Sequence, residues 1–291
     1  MAPTPPIRQV LSVQSSVAYG HVGNNAAVFP LQLLGFEVWP VNTVQFSNHT
    51  GYGSWRGPVL PAADIAEVLT GMRELGVLAE LDAVLSGYLG TAEVGQVILD
   101  TVAAVKDADP TARYCADPVL GDRWCGFYVR PGIPTFMRDA VVPAADVTTP
   151  NLFELEYLAG RSVTDLDELL GAADAVRAAG PDVVLVTSVE LAELGPQTMA
   201  MVAVAPDGAW LVRTPRLELA AVSGAGDLTA ALFLAHLLRE DTAAAALGPV
   251  ASSVFAVLET TVARGGTELA LVAAREQIAR PQPRFTLDRV R

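Results

Sequence analysis

Short apolar runs alternate with helix-length amphipathic segments along nearly the whole chain, and this alternation constrains the fold more than any other feature. The spacing predicts strands over Val10–Gln14, Glu37–Val44, Ala83–Ser86, Arg113–Asp117, Asp146–Thr148 and Asp182–Thr187. It predicts helices over Asn24–Leu34, Ala63–Leu75, Thr91–Lys106, Leu152–Ala159, Leu166–Ala179, Asp227–Leu238, Ala243–Arg264 and Glu268–Ala279. Such alternation argues an α/β fold: a mostly parallel central sheet with helices on both faces, a three-layer α/β/α sandwich. Two further β-like runs, Thr198–Val204 and Ala209–Thr214, flank Pro206-Asp207-Gly208. Pro-Asp-Gly is turn chemistry, which predicts a hairpin at the sheet edge. No composition break or internal repeat divides the 291 residues, so one domain over 1–291 is expected. A flexible N-terminus over 1–8 and a C-terminal tail over 280–291 flank it. The Gly/Pro-punctuated, aromatic stretch 120–134 reads as a flap over a site.

Composition excludes several classes of function. A net charge of −13 argues against a nucleic-acid partner, because phosphate-backbone binding needs clustered Lys and Arg. Of 19 basic residues all but Lys106 are Arg. No Gly-Lys-Ser/Thr phosphate loop and no protein-kinase strand lysine can exist. An enzyme holding a pyridoxal phosphate cofactor as a Schiff base is disfavoured, since Lys106 lies in a polar, surface-like helix end. Cys115 and Cys125 cannot make a disulfide scaffold, and His21, His49 and His236 are too scattered for a zinc motif. His21 and His236 read as structural, His236 as a satisfied core residue. Met1–Gln9 carries no signal-peptide core and no run of 18 apolar residues suggests a membrane span, so a cytoplasmic protein without a membrane partner is expected.

In open α/β sheets ligands bind beyond the carboxyl ends of the strands. The residues that follow the predicted strands are Ser15-Ser16, Gln45–Thr50, Gly87-Tyr88, Asp117-Pro118, Thr149-Pro150-Asn151 and Thr187-Ser188. The sharpest local feature is Ser223-Gly224-Ala225-Gly226-Asp227, followed by an apolar helix. Glycines before a helix leave backbone N–H groups open, and those donors with the helix dipole hold anions. Such a site stabilises charge developing on a transferring phosphoryl group. Asp227 then either takes a proton from an attacking hydroxyl or simply caps the helix.

The Gly-Ala-Gly-Asp segment resembles the Gly-Thr-Gly-Asp signature of the ribokinase-like superfamily of small-molecule kinases. Within it the chain resembles the pyridoxal kinases. The resemblance is carried by Val13-Gln14-Ser15, Gly20-His21-Val22-Gly23-Asn24, Val41–Gly51 (VNTVQFSNHTG), Ser86-Gly87-Tyr88, Asp117–Asp122 and Thr149–Glu154. It implies ATP-dependent phosphorylation of the 5′-hydroxyl of pyridoxal, with pyridoxine and pyridoxamine as further candidates. It places Ser15, Thr50 and Tyr88 around the pyridoxal ring, with Val22, Phe46 and His49 as neighbours. It places Asp117, Asn151 and Glu154 near the ATP phosphates, with Mg²⁺ at Asp117 and Glu154 directly or through water. Thr187 and Ser188 would line the nucleotide side, and Asp122 and Tyr128 would belong to the flap. Gly224, Ala225 and Gly226 would form the anion hole and Asp227 the base, with Arg123 or Arg130 offsetting charge. The resemblance also implies a homodimer and activation by K⁺.

Two features depart from or add to the pattern. Ala225 replaces the signature Thr, which keeps the backbone donors but removes a hydroxyl, so weaker phosphate contact is expected. Cys125 in the flap carries a thiol able to add to an aldehyde, although an incidental flap residue is the expected reading. The competing functions are a hydroxymethylpyrimidine or relaxed-specificity kinase of the same superfamily, and a low-activity vitamin B6 carrier. VNTVQFSNHTG argues against the first and retained Asp227 against the second.

Overall fold

The computed structural model describes residues 7–218 and 222–291. The chain opens with Gln9–Tyr19 (β1), Asn24–Leu33 (α1), Glu37–Asn48 (β2), Ala62–Glu74 (α2), Ala83–Ser86 (β3), Ala92–Ala108 (α3) and Arg113–Ala116 (β4). Gly121–Asp122 (β5) and Gly126–Phe127 (β6) pair as a separate antiparallel hairpin. Ile133–Phe136 (α4) continues through a π-turn, Met137–Val141, into Val142–Ala144 (α5). Then come Val147–Thr148 (β7), Leu152–Ala159 (α6), Leu166–Ala179 (α7), Val183–Val189 (β8), Thr198–Ala205 (β9) and Gly208–Pro215 (β10). Ala225–Glu240 (α8), Ala243–Ala263 (α9), Arg275–Ala279 (α10) and Leu287–Arg289 (β11) complete the order.

Among the described residues the main sheet has nine strands, ordered β11-β10-β9-β8-β7-β4-β3-β1-β2. From β2 to β8 every pairing is parallel. From β8 to β11 every pairing is antiparallel. Neighbouring strand residues go to opposite faces, as the pleat requires. Leu11, Val84, Tyr114 and Val184 meet α2, α3, α6 and α7 through Ile65, Ile98, Leu155 and Leu169. Val10, Leu85, Cys115 and Leu185 meet α1, α8 and α9 through Leu31, Phe233 and Val250. Burial on both faces is why these strands read as unbroken apolar runs. Helix starts follow the caps: Thr91, Asp165 and Thr242 accept from the backbone N–H three residues on.

The sandwich and the hairpin are as expected, but several boundaries differ. β1 and β2 run on to Tyr19 and Asn48, because Val17 and Phe46 continue the buried alternation past Gln14 and Val44. Ser15 therefore sits inside β1, at a register shift between Gln14 and Ser16, not after the strand. β8 likewise contains Thr187 and Ser188, with Ser188 in the left-handed region at φ 51° where the pairing with β9 breaks. The β9–β10 hairpin is not the edge: β11, from the expected tail, pairs outside β10. Half of the flap is a short hairpin, with Tyr128 N–H closing on Leu120 O at 3.1 Å.

The helix expected over Glu268–Ala279 is reduced to Arg275–Ala279, because Glu268 is drawn into side-chain contacts described below. His236 is buried, but Nε2 has no partner among the described residues, unlike the satisfied core residue expected, and burial lowers its pKa to about 4. Lys106 is half-buried and paired to Asp146 at 2.7 Å, less surface-like than expected. α9 is long and apolar enough to cross a membrane by length and composition, with 61% of its apolar window buried inside the protein. Three of its polar residues, Ser252, Ser253 and Thr261, are buried too, as in a core helix, while Glu259 faces out and pairs with Arg284.

Candidate active site

The site lies at the carboxyl ends of the parallel strands, where α8 begins. Gly224 takes φ 91°, and a Cβ on it would stand 1.8 Å from His21 O. Only glycine allows that approach. The first intrahelical bond runs from Leu228 N–H to Gly224 O at 3.0 Å, so the N–H groups of Ala225, Gly226 and Asp227 have no partner within the helix. The cap residue, Gly224, has no side chain, so no N-cap side-chain bond closes this end. Asp227 is partly buried, and desolvation lifts its pKa to about 6 against the pull of the Gly23 and Asp227 N–H groups.

Two more carboxyls lie beneath. Asp117, just past β4, is buried and accepts from Thr149 Oγ1 at 2.8 Å. Burial first, then the charges of Asp227 and Glu154, push its pKa well above the usual carboxylate range. Glu154 completes a capping box with Asn151 at the start of α6: Glu154 N–H donates to Asn151 Oδ1 and Asn151 N–H to Glu154 Oε2, both at 2.9 Å. Glu154 Oε1 accepts from Leu120 N–H at 2.8 Å and Gly121 N–H at 3.3 Å. Asn151 Nδ2 donates to Gly121 O at 2.8 Å. These residues therefore cap a helix and anchor the flap hairpin together. Burial raises the Glu154 pKa to about 8 despite its three backbone donors.

A cleft of about 640 Å³ runs from α8 across β8 to the flap. Asp122, Asn151, Thr187, Ser188, Ala225 and Gly226 all line it, so the structure brings the expected nucleotide-side residues together. Its far wall holds Met199, Met201, Pro215, Leu217, Val254 and Phe255, an apolar slot suited to a flat base. Sequence reading missed this wall, because β9, β10 and α9 look like ordinary core elements. Arg123 lines the cleft but pairs with Glu156 at 3.1 Å. Arg130 instead lies near Tyr88, whose pKa is raised by burial and lowered by that charge.

The residues expected on the ring side form a second group. Val22, Phe46 and Tyr88 belong to one apolar cluster with Val17, Val44 and Val59. Ser15 is buried beneath Gly23, whose absent Cβ would stand 2.3 Å from Ser15 Oγ. His49 joins this edge through a 2.9 Å contact with Glu268, while Thr50 begins a short exposed 3₁₀ turn. Tyr128 sits on the flap with its ring half exposed, and local desolvation of the hydroxyl, then the Glu154 and Asp227 charges, raises its pKa. Cys125 is exposed in the hairpin turn, its thiol toward Asp122 O and Gly126 O. Glu268 was not singled out by sequence reasoning; Gly265-Gly266 just before it argue against a helix there.

Known proteins resemble the chain over most of its length. The family model described as phosphomethylpyrimidine kinase matches residues 66–267. Pyridoxal kinase PdxY of Rubrobacter xylanophilus is 59% identical over 282 residues, 97% of each chain. Pyridoxal kinase PdxY of Leifsonia xyli is 52% identical over 97% of this chain and 99% of its own. Pyridoxal kinase from Leishmania donovani, solved with ADP and ginkgotoxin, superposes with a TM-score of 0.91 at 28% identity, covering 98% of this chain and 100% of that one. The ribokinase-like sandwich is thus shared over full length. The chain belongs to the pyridoxal kinase family.

Proposed function

We propose that the protein transfers the γ-phosphoryl group of Mg·ATP to the 5′-hydroxyl of pyridoxal, giving pyridoxal 5′-phosphate and ADP. The observation that carries this is Asp227 in the first turn of α8, next to the Ala225 and Gly226 backbone that lines a nucleotide-sized cleft. The relatives named pyridoxal kinase supply the substrate class. Phosphoryl transfer has a loose transition state, so positioning and charge neutralisation do most of the work. Asp227 accepts the hydroxyl proton. The N–H groups of Ala225 and Gly226 face the developing charge, and the flap excludes water.

Mg²⁺ fits the residues present. Asp117 is a buried carboxyl whose charged neighbours are Asp227 and Glu154, an excess of negative charge that a cation relieves. No group of three His, Cys, Asp or Glu side chains among the described residues forms an all-protein metal cage. That suits a cation that keeps waters and binds substrate phosphates. Asp117 would hold it, and Glu154, with backbone donors on both oxygens, would act through water. When bound, Mg²⁺ supplies charge neutralisation on the phosphates. K⁺ activation, a homodimer and a cytoplasmic location rest on the family resemblance.

The phosphomethylpyrimidine kinase family description favours a second reading, a hydroxymethylpyrimidine kinase. ATP consumption measured side by side on pyridoxal, pyridoxine, pyridoxamine and hydroxymethylpyrimidine separates the two. The highest kcat/KM is expected with a B6 vitamer, and preference for the pyrimidine would reverse the assignment. Binding of pyridoxal without turnover would point to a carrier.

A further inference from the structure

Glu268 sits in the loop between α9 and α10, far in sequence from everything it touches. Its Oε1 accepts from His49 Nε2 at 2.9 Å and from the Tyr52 hydroxyl at 2.7 Å. Its Oε2 accepts from His21 N–H at 3.0 Å. The side chain is only 13% exposed, and that of His49 only 11%. The fit around it is tight: Gly20 takes φ 99°, and a Cβ there would stand 2.4 Å from Oε2. One carboxylate therefore joins the turn that leads from β1 into α1 to the turn that follows β2.

Both turns adjoin the apolar cluster of Val22, Phe46 and Tyr88. The first carries Val22 and Gly23, and Gly23 covers Ser15. It also abuts the anion hole, since His21 O packs against the Cα of Gly224. The second carries His49 and Thr50. The Tyr52 ring stacks on His49 at 4.6 Å between centroids, so both partners of Oε1 support each other. His49 Nδ1 is buried and has no partner among the described residues. It lies toward Gly51, whose Cβ position is 2.9 Å from Nδ1 and 3.4 Å from Ser223 Oγ. A neutral His49 that donates from Nε2 to this carboxylate keeps a lone pair on Nδ1. An unpartnered buried acceptor beside an aromatic pocket is a place for a ligand donor.

We propose that Glu268 is a positioning residue for the B6 substrate: it ties the two turns of the ring pocket together and fixes His49 with Nδ1 as the acceptor for a substrate hydroxyl. This rests on the pyridoxal kinase reading above. A carboxylate is required because all three neighbours donate. A glutamine amide would turn an N–H₂ toward one of them and break the clamp. The nucleotide cleft lies across α8 and does not include Glu268. Its effect should therefore appear in one substrate only.

The test is steady-state kinetics of wild type, Glu268→Gln, His49→Ala and the double variant, with pyridoxal and ATP varied separately. Glu268→Gln is expected to raise the KM for pyridoxal about tenfold, the cost of an unmet buried hydrogen bond, with the KM for ATP within about twofold. The double variant should cost clearly less than the two single losses added together, the signature of coupled residues. An unchanged pyridoxal KM in Glu268→Gln, an equal rise in both KM values, or full additivity with His49→Ala would overturn the proposal. If Glu268→Gln fails to fold, Glu268→Asp, which shortens the reach to His49, is read by the same criteria. A wild-type enzyme that phosphorylates no B6 vitamer overturns the function itself, a result distinct from an active wild type indifferent to Glu268.

Discussion

The two glycines that flank Ala225 should respond to alanine in opposite ways, and the contrast tests the anion hole directly. At Gly226 an added Cβ meets no atom within 4 Å, and the residue is exposed at the start of a helix. Alanine there removes the entropy cost of glycine, a gain of up to about 1 kcal/mol and a Tm rise of about 2–4 °C at most. The same methyl projects from a residue lining the nucleotide cleft. A phosphate oxygen must come within about 2.9 Å of the backbone nitrogen to bond it, and a methyl blocks that approach. Loss of one oxyanion donor costs roughly 10²-fold or more in kcat. Gly226→Ala should thus be at least as stable as wild type and roughly 10²-fold slower. Gly224→Ala should instead lose stability, since φ 91° with a side chain costs about 1–2 kcal/mol before the 1.8 Å collision with His21 O is relieved. Thermal unfolding by circular dichroism and a coupled ADP assay read both. Wild-type turnover in Gly226→Ala would refute the claim that a phosphate reaches this backbone.

Asp227→Asn should keep its fold and lose kcat by about 10²–10⁴-fold, as expected for a removed general base. Because its carboxyl is raised to about 6 and acts ionised, wild-type kcat/KM should fall tenfold per pH unit as pH drops below about 6. A flat profile from pH 5 to 8 would exclude Asp227 as the base. For Glu154 the folded pKa of about 8 exceeds the ordinary 4.5. The folded protein therefore binds more protons between those values, and stability declines as pH rises through this window. Without ligand, Tm should fall from pH 6 to 9, and Mg·ATP should flatten that slope. Asn151→Ala loses a cap worth about 0.5–2 kcal/mol and frees Gly121 O, so Tm should fall while KM for ATP rises. A loss of stability without a change in ATP KM would show that the hairpin does not depend on Asn151.

The sandwich was legible because burying strands on both faces writes long apolar runs, and the capping residues mark where helices begin. The helix turn proposed as the anion hole was legible for a local reason: Gly224–Asp227 is one contiguous turn whose backbone geometry depends on its own residues. What was not legible is long-range. The Glu268 clamp joins positions more than two hundred residues apart, and nothing near Glu268 announces His49 or His21 as its partners. The extra strand at Leu287–Arg289 is specified by the free edge of β10, not by its own sequence. The apolar wall of the nucleotide cleft is assembled from β9, β10 and α9, whose residues look like core until their neighbours are absent. Asn151 and Glu154 showed their functional setting only in part, since the same side chains serve a helix cap and the flap.

The most direct measurement is a single-turnover reaction with enzyme in excess over pyridoxal, Mg·ATP present, and both products followed by mass spectrometry. Pyridoxal 5′-phosphate and ADP should appear together in equal amounts with wild type, and both about 10²–10⁴-fold more slowly with Asp227→Asn. ADP formed without phosphorylated pyridoxal, or pyridoxal bound and left unchanged, would contradict phosphoryl transfer at this site.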